Sequence, residues 1–122
     1  MKIKCADGRA LEVRGYRAAR APDGTQEFRG SSRRLPARVD LRPHLTPVEA
    51  QGTTQSCTAN AIAGAYEYLM KRHLGVESYD VSRLFIYYNA RAAKGTEAVD
   101  DGSTLNEVIK SLEQNGACAE TA

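Results

Sequence analysis

Gln51 and Cys57 stand six residues apart in "QGTTQSC", immediately ahead of the alanine-rich run "TANAIAGAYEYLMKRHLG". A thiol in the first turn of a helix faces unpaired N–H groups and the positive end of the helix dipole, and both favour the thiolate. Those N–H groups can also hold a developing oxyanion. The carboxamide of Gln51, carried back over a glycine-containing turn, would add a second donor. Ser56, just before the thiol, is placed as the N-cap. Such a set is what acyl transfer through a thioester requires. A cysteine beside Ala and Thr on a buried helix can equally be a small apolar side chain, so the residues around it must decide.

The elements that position these groups follow from patterning. Ala59, Ile62, Ala63, Tyr66, Leu69 and Met70 recur at helical spacing, and Gly75 stands where a left-handed C-terminal glycine would. Ala61, Gly64 and Ala65 keep the other faces small, which suits a central helix. A second helix is expected over "VSRLFIYYNARAAKG", with Val81, Leu84, Phe85 and Tyr88 on one face and Gly95 at its end. Tyr87 and Tyr88 are read as core. In the third, Thr104 and Glu107 have capping-box spacing, Leu105, Val108, Ile109 and Leu112 form the stripe, and Gly116 stops it. At the N-terminus, Ile3 and Cys5, then Leu11 and Val13, alternate around Asp7-Gly8, predicting a hairpin. "APDGTQEFRGSSRRLP" reads as a linker or peripheral strand, with a boundary near Leu35. Pro36, Pro43 and Pro47 keep the next stretch extended and irregular.

With 122 residues, 42% hydrophobic and 26% charged, the chain has the size and composition of one ordinary globular domain or half of a larger one, with one modest core. A formal charge of +2, with arginines spread along the chain, gives no argument for nucleic acid. No run of about 18 apolar residues and no apolar signal region is visible, so no membrane partner is expected and a cytoplasmic location is. Cys5, Cys57 and Cys118 are too widely and irregularly spaced for a disulfide framework or a zinc site, so no metal is expected.

"TPVEAQGTTQSCTANAIAGAYEYL", with "LPARVDLRP" upstream, resembles the active-site segment of papain-like cysteine peptidases, especially a bacterial and phage-type branch with "SCTANA" at the nucleophile. The resemblance runs from about Leu35 to Ala122. It implies Cys57 as nucleophile and Gln51 as oxyanion donor. "VDDGSTLNEVIKSLEQNGAC" is similar to the glycine loop and helix that line the substrate cleft, so Gly102, with Asp101 and Ser103, would offer backbone hydrogen bonds to an extended peptide. Read without the resemblance, "DDGS" is a loop that caps a helix. Thr54 stands where plant and animal enzymes carry a disulfide cysteine, and Thr58 where they carry an aromatic residue, so that disulfide is expected to be absent.

In this family the histidine base and its asparagine lie about 130–150 residues beyond the cysteine, whereas 65 residues follow Cys57 here. The expected fold is therefore mostly α: the left lobe of the α+β papain-like fold, its central helix starting at Cys57, with a short hairpin-like extension. His73, on the same predicted helix, lies about 24 Å from the thiol at about 1.5 Å per residue and is read as a C-terminal dipole partner. His44 is read as a surface residue.

The implied activity is peptide-bond hydrolysis through a Cys57 thioester, with the histidine supplied by a missing or separate right lobe and no cofactor. This chain alone is expected to be inactive. The alternative is a non-catalytic, peptidase-derived module that binds a peptide or protein. A transglutaminase or amidase, which shares the thiol-at-helix geometry, is a further reading. The partners expected are a peptide or protein substrate and, across the lobe face, either a right-lobe chain or a second copy. Residues 1–34 lie where this family carries a propeptide; a cleaved prosegment of a zymogen and an N-terminal strand of the mature fold both stay open.

Overall fold

In the computed structural model the described residues are 2–4, 8, 10–12, 17–27, 29–30, 34–75 and 79–121. Three helices carry the architecture: α1 (Cys57–Leu74), α2 (Arg83–Ala92) and α3 (Leu105–Asn115), each packed on the other two. An N-terminal ribbon pairs β1 (Lys2–Lys4) antiparallel with β2 (Ala10–Glu12), Ile3 opposite Leu11. The hairpin is thus as the alternation predicts, although Cys5, Asp7 and Val13 lie outside the described residues.

The core is small and built largely from short side chains. Ala59 and Ala63 of α1 meet Ile86, Tyr87 and Ala90 of α2, Val108 of α3, and Val81. Small residues on α1 let the helix axes approach closely, which explains why an alanine-rich helix sits at the centre. Its C-terminus is closed by Gly75 at φ 66°, ψ 19°, a conformation that costs glycine nothing. At α3 the capping box is complete: Thr104 Oγ1 accepts from the Glu107 N–H, and the Glu107 carboxylate accepts from the Thr104 N–H.

Several expected faces shift. In α2 the buried residues are Ile86, Tyr87 and Ala90, while Leu84 and Tyr88 are 56% and 52% exposed. Tyr88 is therefore not a core residue. The helix begins only at Arg83, where the Ser82 side chain accepts from the Phe85 N–H. Val81, ahead of it, is held by an antiparallel bridge to Ala119, which takes it out of the helical stripe. Ser82 N–H donates to Cys118 O and Glu120 N–H to Asp80 O, both at 2.9 Å, so the segment after α3 folds back beside the start of α2. Leu69 of α1 and Leu105 and Ile109 of α3 are also exposed.

The proline-rich stretch has no regular structure beyond a 3-10 turn at Arg42–His44. It lies along α1, with His44 edge-on to Tyr68. Below it, Glu67 is 2% exposed on the same stripe as Ala59 and Ala63. Its carboxylate accepts from Thr46 Oγ1, from the Val81 N–H at 3.0 Å and from the Arg83 guanidinium at 3.2 and 3.3 Å. Arg83 also reaches Asp80 at 2.7 Å. A buried carboxylate persists only when so many donors surround it. No described helix is long and apolar enough to cross a membrane.

Candidate active site

Cys57 is the first residue of α1, as the sequence predicts, and its side chain is half-buried and free. Ser56 occupies the N-cap position but makes no side-chain cap bond. Its Oγ instead pairs with Thr54 Oγ1 at 2.7 Å and accepts from Asn60 Nδ2 at 3.1 Å. The dipole argument for a lowered thiol pKa is outweighed here. Burial pushes the Cys57 thiol above its ordinary value, more than the N–H groups of Thr58 and Cys57 pull it down. Within this lobe, therefore, the thiol form is favoured.

Gln51 opens the turn that leads to the thiol. Gly52 takes a positive φ of 61° and reverses the chain. Thr54 then closes the turn on itself: its Oγ1 donates to Gln51 O at 2.8 Å, and Gln51 Nε2 donates to Thr54 O at 2.7 Å. That bond fixes the carboxamide, and since an amide nitrogen carries two hydrogens, one N–H stays available.

The glycine loop meets the same region. Gly102 is buried at φ 85°, a conformation that disfavours any side chain. Its N–H donates to Tyr87 Oη at 3.0 Å and is thus engaged within the lobe. Ser103 is buried, its Oγ paired with Thr58 Oγ1, which ties this loop to the first turn of α1. The Ser103 carbonyl accepts from the Arg17 N–H at 3.1 Å, and Asp101 forms an ion pair with Arg17, also at 3.1 Å. The three predicted loop residues thus sit together, with the N-terminal segment lying against them.

Two side chains that the sequence reading did not place at the site hold it together. Asp100 accepts from the Gln55 N–H at 3.0 and 3.2 Å and from Tyr87 Oη at 2.6 Å. These bonds keep its carboxyl below the usual range. Tyr87 is buried, its ring under the Arg91 guanidinium at 3.8 Å, and its phenol is pushed up to about 12 by burial first and by Asp100 second. The doubled aspartate in "VDDGS" was a visible signal for Asp100; the hydroxyl of Tyr87 had none. His44 and His73 are both exposed and neither is near the first turn of α1 in sequence. Among the described residues no group of three or more His, Cys, Asp or Glu could hold a metal.

No family model matches the chain. It is 40% identical over 86 residues to an uncharacterized peptidase C1-like protein of Acanthamoeba polyphaga mimivirus, covering 66% of this chain and 28% of that protein. Among solved structures it is similar to xylellain, a cysteine protease from Xylella fastidiosa, at 34% identity and a TM-score of 0.77, covering 89% of this chain and 41% of that one. The chain therefore spans less than half the length of either. Its mostly helical architecture, with a helix beginning at Cys57, matches the N-terminal lobe of that fold.

Proposed function

The chain has the left lobe of the papain-like cysteine-peptidase fold, and from that premise we propose that it supplies the nucleophile of a cysteine peptidase whose histidine comes from a second lobe. The observation that carries this reading is the half-buried, free Cys57 at the start of α1, in a turn whose Gln51 carboxamide keeps one N–H available. In the assembled site an imidazole takes the proton of Cys57. The thiolate attacks the scissile carbonyl, while the Cys57 N–H and Gln51 hold the oxyanion. The imidazolium protonates the leaving amine, and water then hydrolyses the thioester. The raised thiol pKa fits a lobe that waits for its base.

An exposed apolar wall supports the expectation of a partner lobe. Leu45, Pro47 and Val48 form one wall of a groove of about 290 Å³ against Ala61 and Gly64 of α1, and Val48 is 100% exposed. Apolar side chains held out in this way favour a partner. Residues 1–34 fit a prosegment: Arg17 is bonded to Asp101 and Ser103, and Arg20 O accepts from Asn106 Nδ2 at 3.2 Å, across the loop assigned to substrate. Mass spectrometry of the active protein is expected to find a mature N-terminus near Leu35; an intact N-terminus in the active form overturns the prosegment.

The Gly102 N–H, occupied by Tyr87 Oη, favours a second reading, a non-catalytic module that grips a peptide or protein. An epoxysuccinyl peptide separates the two. With the histidine-bearing lobe present, stoichiometric labelling at Cys57 and none at Cys118 is the expected result; no labelling there supports the binding module.

A further inference from the structure

The turn carrying the nucleophile and the loop carrying Gly102 are 45 residues apart in sequence, and among the bonds that join them are those of one carboxylate. Asp100 accepts from the backbone N–H of Gln55, two residues before Cys57, through both oxygens. The same carboxylate accepts from Tyr87 Oη, which in turn accepts from the Gly102 N–H. Gln55 adds a second strap, its Nε2 donating to Asp100 O. The result is a relay, Gly102 N–H to Tyr87 O–H to Asp100 carboxylate, with Gln55 N–H arriving from the other side. Among the described residues Thr54 bonds within its own turn, to Gln51 and Ser56.

We propose that Asp100 is a positioning residue for Cys57: its carboxylate fastens the nucleophile turn to the Gly102 loop and sets both relative to α2 through Tyr87. A charge-assisted acceptor shared between two loops restricts both at once, and Tyr87 anchors them because its ring is locked in the core beneath Arg91. Asp100 touches no reacting atom; it acts through Gln55 and Tyr87. The kinetic consequence rests on the peptidase reading, whereas the clamp itself does not.

The test therefore has two arms. In the first, amide hydrogen exchange is followed on the full chain. Asp100→Ala is expected to speed exchange at Gln55 and Gly102 on the order of tenfold or more, the loss of one charge-assisted hydrogen bond. Asp100→Asn, which keeps one acceptor, is expected to fall between. Tyr87→Phe is expected to speed Gly102 and leave Gln55 alone. Gln55 exchange unchanged in a folded Asp100→Ala overturns the clamp; if that variant does not fold, unchanged Gln55 exchange in Asp100→Asn does so instead.

In the second arm the chain is assayed with the histidine-bearing lobe. Asp100→Ala is expected to lower kcat about tenfold with KM within about twofold, and Asp100→Asn to recover part of the loss. An unchanged kcat, or a change in KM alone, overturns the positioning role. An inactive reference protein counts against the peptidase reading and leaves the exchange arm to decide the clamp.

Discussion

Cys57 is subject to opposing influences, and their balance sets what the isolated lobe can do. The N–H groups at the head of α1 favour the thiolate, but partial burial outweighs them and holds the pKa above its ordinary 9.0. Because the group is an acid with a raised pKa, the protonated form is favoured below that value and the thiolate gained only as pH rises through it. Alkylation of Cys57 in this chain alone is therefore expected to have its midpoint above pH 9.0, and to move below it when the histidine-bearing lobe is added; stopped-flow labelling across pH measures both. Gln51 makes a separate prediction. Its carboxamide is fixed by Thr54 O at 2.7 Å, so Gln51→Ala is expected to lower kcat of the assembled enzyme on the order of 10²–10³. The circular dichroism of the lobe is expected to stay the same.

At the scale of elements, one feature is a carboxylate on the buried stripe of α1, beside Ala59 and Ala63. Glu67 is satisfied by Thr46, Val81 and Arg83, and its removal leaves the Arg83 guanidinium short of its buried partner. Glu67→Ala is expected to cost about 3–5 kcal/mol in urea unfolding. The three helices, the glycine stops of α1 and α3, the capping box of Thr104 and Glu107, and the position of Cys57 were all legible, because each rests on spacing within one segment; α2 instead ends at Ala92 with Ala93 as its C-cap, ahead of Gly95. The clamp of Asp100 and the cluster around Glu67 were not, because both join residues far apart in sequence. Glu67 nonetheless left a trace: it continues the buried spacing of Ala59 and Ala63, where a charge calls for a partner. The face of α2 was misread for a similar reason. Val81 is buried just upstream of the helix, where a bridge to Ala119 holds it, so a helical register counted on from it lands on Leu84 and Tyr88, which are exposed, and misses the buried Ile86, Tyr87 and Ala90.

At the scale of the whole molecule, the proposed partner lobe would sit on the wall formed by Leu45, Pro47 and Val48. Val48 has its whole side chain in solvent, so Val48→Asp removes no contact within the lobe. That variant is expected to leave the unfolding free energy within about 0.5 kcal/mol of the parent. It is also expected to weaken association with the second lobe at least tenfold, read by sedimentation or titration calorimetry; equal affinity would mean that the partner sits elsewhere. The wall itself, though irregular, does not stand free. Thr46 is bound to the Glu67 carboxylate, which also receives the Val81 N–H at the approach to α2. Peeling this strip from the surface thus means uncovering a buried, hydrogen-bonded carboxyl group within the thiol-bearing helix. The strip should open with that helix in one cooperative step, and the Val81 amide should exchange with deuterium as slowly as the centre of α1 rather than at a loop's pace.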